Sequence, residues 1–198
     1  MSRKKASWFM MTLLAGAASL AAAQTTTWKI DPAHSQAEFT IRHMAISNVR
    51  GRFSNLGGSI ALDPSDLTKS SVNAIVDVST VDTGVTQRDN DLKSDHFFDV
   101  AKFPAMAFVS KSIEKSGDDY TITGDLTMHG VTKSVTLHLD APGKEETGMD
   151  GKMHRGFSAT TTLHRQDFGL TWNGVLKSGD AMLGDDVKIS LDIEAIKQ

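Results

Sequence analysis

Residues 187–195 read VKISLDIEA. Val187, Ile189, Leu191, Ile193 and Ala195 share one parity, and Lys188, Ser190, Asp192 and Glu194 share the other. Successive side chains of a β-strand point to opposite faces, so a strict period of two predicts a strand with one apolar and one wetted face. An antiparallel sheet packed on one side only has this pattern.

The period continues through the rest of the chain. Phe157, Ala159, Thr161 and Leu163 alternate with Ser158, Thr160, Thr162 and His164. Val135, Leu137 and Leu139 alternate with Ser134, Thr136 and His138, and Tyr120, Ile122, Leu126 and Met128 with Thr121, Thr123, Asp125 and Thr127. Val72, Ala74, Val76 and Val78 form another apolar row, and Ala37, Phe39, Ile41 and His43 share a face nearer the start. Turn signals divide these runs at Gly57-Gly58, Asp63-Pro64, Gly117-Asp118, His129-Gly130 and Pro142-Gly143.

The expected fold class is therefore all-β. Several runs reach about ten residues, or about 33 Å at the usual rise. Long meandering strands with one apolar face close into an extended antiparallel barrel, which leaves no unpaired edge; a two-layer sandwich is the structural alternative. One stretch breaks the period. Thr86 to Ser94 is polar and lacks Gly and Pro, so it reads as a short helix, with a second turn over Asp95 to Val100. These one or two short helices near residues 86–99 are expected across one end of the barrel.

The ends carry a different signal. Arg3, Lys4 and Lys5 precede an apolar run from Ala6 to Leu20, and Ala21-Ala22-Ala23 supplies a small-residue cleavage pattern. Residues 1–23 read as a cleaved signal peptide, too short and too rich in Ala for a transmembrane anchor. Residues 24–198, beginning at Gln24, are then the mature chain, long enough for one large core and expected to be soluble. The chain has no cysteine, so neither a disulfide nor lipidation at the cleavage point is available. Removing Arg3, Lys4 and Lys5 from the 21 basic residues leaves 18 against 24 acidic ones, a formal charge of −6. Scattered cations on an acidic chain give no footprint for nucleic acid.

The most polar segment is RDNDLKSDHFFDVAKFP, residues 88–104. Read as a calcium loop from Asp89, it puts Lys93 at the fifth position, Ser94 at the sixth and Val100 at the twelfth, so the ligand pattern fails. The seven histidines, at 34, 43, 96, 129, 138, 154 and 164, show no His-x-x-x-His spacing, so a metal centre is not expected from spacing, and a site assembled from distant strands is the alternative left open. No Gly-x-Ser-x-Gly elbow and no glycine-rich phosphate loop occur, so neither catalytic residues nor a cofactor are expected. The remaining feature is apolar. Phe97, Phe98 and Phe103 follow the polar helix, and Phe39, Phe53, Phe108, Phe157, Phe168 and Trp172 lie on or beside strand faces. These rings either fill an ordinary core or line a cavity that long strands leave unfilled; a barrel of about eight strands can hold one small ligand.

Six ordered blocks resemble the YceI-like family of secreted bacterial proteins across essentially the whole mature chain. They are DPAHSQAEFTIRHM (31–44), GRFSNLGGSI (51–60), VDTGVTQRDNDLKSDHFFDVAKFPAMAF (81–108), GDLTMHGVTKSVTL (124–137), GFSATTTLHRQDFGLTW (156–172) and LGDDVKISLDIEA (183–195). Asn90-Asp91 departs from the His or Glu common there in the family. The resemblance implies a lipocalin-like barrel with a long hydrophobic cavity that binds a polyisoprenoid or similar amphiphile in the periplasm, without established catalysis. Isoprenoid quinones, polyprenyl phosphates and fatty amides are the occupants it implies. The partner expected is thus an isoprenoid or fatty-chain lipid. Transient contact with a membrane or a membrane redox protein, and a homodimer, are further partner expectations.

The site residues expected on that basis are Phe39, Ile41, His43, Phe53, Arg88, Phe97, Phe98, Phe108, Met128, Phe157, Leu163, Arg165, Phe168 and Trp172. Leu92, Phe97, Phe98 and Phe103 would close the cavity from the helical segment, with Asp91, Lys93 and Asp95 on its solvated side. Arg88 and Asp89 would pair with each other or bond the loop backbone. His43, Arg42, Arg88 and Arg165 are head-group candidates, with Trp172 as a stacking surface. Strand neighbours point opposite ways, so His43, on the parity of Phe39 and Ile41, is favoured inward over Arg42. The rival function is a lipid hydrolase or isomerase with His43 or His164 as base, which would need an oriented partner.

Overall fold

A computed structural model describes residues 25–198; the expected leader and the expected cleavage point at Ala23–Gln24 lie outside the described residues. The chain forms β1 (Thr26–Ile30), β2 (Gln36–His43), β3 (Ser47–Phe53), β4 (Leu56–Leu62), β5 (Ser71–Asp77), α1 (Thr86–Lys93), β6 (Ala105–Ser116), β7 (Asp119–Met128), β8 (Val131–Leu139), β9 (Glu146–Thr147), β10 (Met153–His164) and β11 (Leu183–Lys197). All pairings are antiparallel.

The sheet closes on itself. β1 pairs with β4 and β2 with β3, and the pairs Trp28↔Ile60 and Ala37↔Phe53 keep nearly the same register. β1–β2 and β3–β4 are therefore the two arms of one long hairpin, interrupted at residues 31–35 and 54–55. From β4 the order runs β5-β6-β7-β8-β10, and β11 joins β10 to both β1 and β2. Counting each interrupted arm once gives an eight-stranded closed antiparallel barrel, as the alternation predicts, and not a sandwich. Closure satisfies the backbone groups that an open sheet would leave at its edges.

The inward parity is the one read from sequence. Leu191 and Ile193 of β11 join the apolar interior, and Trp28, Ile60, Leu62 and Ala195 form a tightly buried cluster near the ends of β1 and β11. The helix over 86–94 is observed as α1, followed by turns, and three short 3₁₀ segments lie elsewhere at Leu67–Lys69, Val78–Thr80 and Arg165–Phe168. Pro104, which has no N–H for a ladder, stands just before β6, its carbonyl accepting from Val78 N–H at 3.0 Å.

One turn signal is corrected. Gly57-Gly58 lies within β4 and not at a turn. Gly58 has φ 134°, and a Cβ there would stand 2.1 Å from the Asn73 carbonyl oxygen. The glycine marks a close approach of two backbones, which reads like a turn residue in sequence. The β2–β3 turn shows the converse. Met44 and Ala45 adopt φ of 51° and 57° without being glycine, and a side chain in that region costs about 1–3 kcal/mol.

Candidate ligand-binding cavity

An apolar cavity of about 450 Å³ runs inside the barrel. Its wall takes Leu183 to Ile193 from β11, a span of about 33 Å along the strand. All of the expected site residues except Phe168 line it. Phe39, Ile41 and His43 of β2, Phe108 of β6, and Phe157 and Leu163 of β10 are inward yet only half-buried. In a filled core such residues would be buried on all sides; here they face open space.

Phe168 is the exception. It is fully buried in a small cluster with Met128 and Leu170 and also borders a polar groove on the outer face of β8, β10 and β11. Its 3₁₀ turn follows β10, so strand parity no longer predicts its direction. Phe103 is likewise not on the cavity wall. Its ring packs edge-on against His129, with centroids 4.7 Å apart, under the His129-Gly130 turn.

Polar groups gather at the end covered by α1. Arg88 Nε donates to Thr83 Oγ1 at 2.8 Å and Nη2 to the Thr83 carbonyl at 3.0 Å. Asp89 Oδ1 accepts from Thr83 N–H at 2.8 Å and from its hydroxyl at 2.5 Å. Arg88 and Asp89 thus do not pair; both grip Thr83, which fixes the start of α1. Among the described residues no carboxylate lies within 4.0 Å of the Arg88 guanidinium, and its Nη1 is uncommitted at the cavity wall. His43 points inward, whereas Arg42 points outward to the Ala45 carbonyl at 2.7 Å. Asp91, expected on the solvated side, reaches the cavity rim while bonding His96 at 3.0 Å.

Arg165 is 4% exposed and acts as a clasp. It donates from Nε to the Gly184 carbonyl at 3.0 Å, from Nη1 to the Leu170 carbonyl and to the Trp172 carbonyl at 2.8 Å, and from Nη2 to Asp185 Oδ1 at 3.0 Å. Gly184 and Asp185 come from the irregularity between Leu183 and Val187, where β11 carries more residues than β2 opposite it. One Nη2 hydrogen is left, so Arg165 mainly holds the segment from Leu170 to Asp185 against the barrel. That segment contributes Leu170, Trp172 and Met182 to the cavity, and Phe97 meets Trp172 at a centroid distance of 5.2 Å. Met182 and Leu170 were missed in the sequence because an irregular loop has no periodicity to read.

His164 has the oriented partner that a base requires, Asp186 Oδ1 at 2.5 Å, but the pair borders the outer polar groove. His43 lines the cavity with no carboxylate within 4.0 Å among the described residues.

A second cluster lies outside the barrel. Asp31, His34 and Glu194 bring one potential ligand atom each within 4.8 Å of one another, a convergence that sequence spacing does not show. Each atom is engaged in histidine–carboxylate bonds: His34 Nδ1 to Asp31 at 2.7 Å, His154 Nδ1 to Glu194 at 2.6 Å and His154 Nε2 to Asp150 at 3.0 Å. The network ties the corner between β1 and β2 to β10 and β11. Asp31 holds His34 above its ordinary pKa of 6.5, with Glu194 adding to it, and Asp150 then Glu194 do the same for His154. The imidazoles in turn lower Asp31 and Asp150 below 3.8. The histidine contribution to stability is complete below pH 6.5 and is lost as pH rises through the raised values. The aspartate contribution is present above pH 3.8 and is lost as pH falls through the lowered values. The melting-temperature deficit of a His34→Gln, His154→Gln protein relative to wild type should therefore be larger at about pH 5.5 than at about pH 8.5. Equal deficits at both pH values would show that the pairs are not charged in the native state.

Comparison with known proteins places this geometry. A family profile described as YceI-like domain matches residues 28–195. The UPF0312 protein SAS2572 of Staphylococcus aureus (strain MSSA476) is 34% identical over 169 residues, 85% of this chain and 96% of that protein. The crystal structure of the Campylobacter jejuni YCEI protein matches with a TM-score of 0.66 at 32% identity, over 80% of this chain and 90% of that one. Two more distant structures share the fold. Burkholderia cenocepacia BcnA has a TM-score of 0.71 at 22% identity, covering 83% of this chain and 98% of BcnA. A polyisoprenoid binding domain from Saccharophagus degradans, implicated in plant cell wall breakdown, has a TM-score of 0.61 at 14% identity, covering 88% of this chain and all of that domain.

Proposed function

The chain belongs to the YceI-like family, and from that premise we propose that it binds the chain of a polyisoprenoid or related amphiphilic lipid inside its barrel, as a carrier or sequestering protein rather than an enzyme. The observation that carries this reading is the row of half-buried apolar side chains facing an open interior. Each methylene moved from water into such a wall contributes about 0.8 kcal/mol, so a long chain is held by length alone. The polyisoprenoid-binding description of one structural neighbour supports the ligand class. Binding without chemistry agrees with the placement of the two histidines weighed as a base: His164 has an oriented carboxylate but borders the outer groove, and His43 lines the cavity without one.

The polar end holds the head group in this reading. Arg88 supplies a fixed guanidinium with an uncommitted Nη1, His43 a second polar contact and Trp172 a stacking face. An anionic or carbonyl-bearing head group suits that set, which includes isoprenoid quinones, polyprenyl phosphates and fatty amides. We further propose that the mature protein, from Gln24, works in the periplasm, a reading that the basic, apolar, alanine-rich start of the chain supports.

Native mass spectrometry of the exported protein, with extraction of the bound lipid, tests the reading. A mature mass starting at Gln24 plus one isoprenoid or fatty-chain adduct is expected. Arg88→Leu should reduce retention of an acidic lipid by about tenfold, while a neutral alcohol of the same chain length binds nearly as before. A folded wild-type protein that carries no lipid and takes up none from micelles overturns the proposal.

A further inference from the structure

We infer that the α1 end of the barrel is a docking surface for an anionic lipid bilayer, and that it places the cavity directly on the membrane. This deepens the reading of the cavity as a lipid site and rests on it.

Four large apolar side chains are exposed on two neighbouring loops at that end. Ile46 is 75% and Met44 37% exposed on the β2–β3 turn; Val175 is 78% and Trp172 38% exposed on the segment after β10. The loops are joined by Met44 N–H, which donates to the Met182 carbonyl at 2.7 Å, and the second loop is closed on itself by the bridge of Val175 to Ala181. Trp172 and Met182 also line the cavity, so the exposed patch is continuous with the apolar interior. Scattered apolar residues on a surface need no explanation, but a group on two adjoining tips at a cavity end does.

The β2–β3 turn adds an independent observation. A turn with two positive-φ residues favours Asn-Gly, yet this one uses Met44 and Ala45, followed by Ile46. The chain accepts backbone strain to keep apolar residues at an exposed tip, a conflict typical of functional surfaces.

Charge specifies the partner. The chain is acidic, with 24 acidic against 21 basic residues. Yet Arg42, beside the β2–β3 turn, Arg50, opposite Thr40 further along β3, and Lys177, on the 175–181 turn, have no carboxylate within 4.0 Å among the described residues. The cationic edge therefore lies on these two loops, whereas the α1 segment carries Asp89, Asp91, Asp95 and Asp99 against Arg88 and Lys93. Asp180 is the carboxylate of the 175–181 turn and is held by Ser178 at 2.8 Å. Apolar tips with uncompensated cations on the same two loops match the interface of a bilayer with anionic head groups, where aromatic and aliphatic side chains enter the acyl boundary and cations meet phosphates. A protein partner would be expected to present carboxylates and a shaped pocket instead.

Flotation of the mature protein with phosphatidylcholine vesicles, with and without about 30% phosphatidylglycerol, tests this. Wild type should float with the anionic vesicles, and weakly without them. Ile46→Asp with Val175→Asp should reduce flotation by about tenfold or more, because both apolar anchors become charged. Arg50→Glu with Lys177→Glu should abolish the preference for phosphatidylglycerol. None of these side chains lines the cavity, so lipid extracted from each purified variant should equal wild type. Wild type that carries lipid but does not float, or floats as well with both tips charged, overturns the docking surface and leaves the lipid-binding reading standing. Wild type that floats but carries no lipid overturns the reading on which the inference rests.

Discussion

Leu163→Trp combined with Val187→Trp should leave the barrel folded and remove at least nine-tenths of its bound lipid. Leu163 and Val187 are direct cross-strand partners on β10 and β11, and both line the cavity. Two indoles added there project into open space of about 450 Å³ rather than into packed neighbours. Enlarging a side chain inside a close-packed core typically costs about 1–3 kcal/mol because neighbours are forced off their rotamers. Where the interior is open, that cost is largely avoided. The lipid bears the loss instead: a chain denied contact over two methylenes loses about 1.6 kcal/mol, which exceeds the factor of ten at 1.4 kcal/mol. Circular dichroism and a melting scan report the fold, and extracted lipid per mole of protein reports occupancy. A double variant that melts far below wild type, or one that is folded and fully loaded, would show that these positions belong to ordinary core.

The second large effect concerns stability alone. Gly57 and Gly58 are neighbours in β4, yet Gly→Ala at the two should give opposite outcomes. A Cβ at Gly58 would lie 2.1 Å from the Asn73 carbonyl oxygen and 2.8 Å from Ala74 Cα, on a backbone at φ 134°. Both obstacles are backbone atoms of the paired strand β5, so no rotamer change relieves the clash. The conformation is also one that glycine alone adopts readily. Gly58→Ala should cost about 3–5 kcal/mol, among the larger single-residue losses. That lowers the melting temperature by at least about 6 °C for a domain of this size. A Cβ at Gly57 would meet Ile75 Cγ2 at 3.8 Å, an ordinary contact. Gly57→Ala should therefore be neutral or slightly stabilising, since it narrows the unfolded ensemble. Equal melting temperatures for the two variants would contradict the strand geometry at Gly58.

The alternation of VKISLDIEA and its counterparts determines the strands, and parity determines their faces. Phe39, Ile41, His43, Phe108, Phe157 and Leu163 were assignable to one inner surface because on a strand direction follows from position alone. The helix at Thr86–Lys93 was legible for the opposite reason, as a polar stretch that lacks both the period and any breaker. Parity fails where regular structure stops. Phe168 lies in a 3₁₀ turn and Phe103 ends a run of turns, and both fold away from the cavity.

Other features depend on segments far apart in the chain. In sequence Arg165 is a head-group candidate beside an aromatic stretch, and only the approach of Gly184 and Asp185, about twenty residues later, turns it into a clasp. His34 and His154 are uninformative singly, and become a histidine–carboxylate network because the β1–β2 corner, β10 and β11 converge. Whether the apolar faces meet or stand apart is likewise no property of any one strand. It follows from how eight strands share a circumference. A period of two specifies which atoms face inward, whereas the radius, and hence the empty volume between them, is set by closure of the whole sheet.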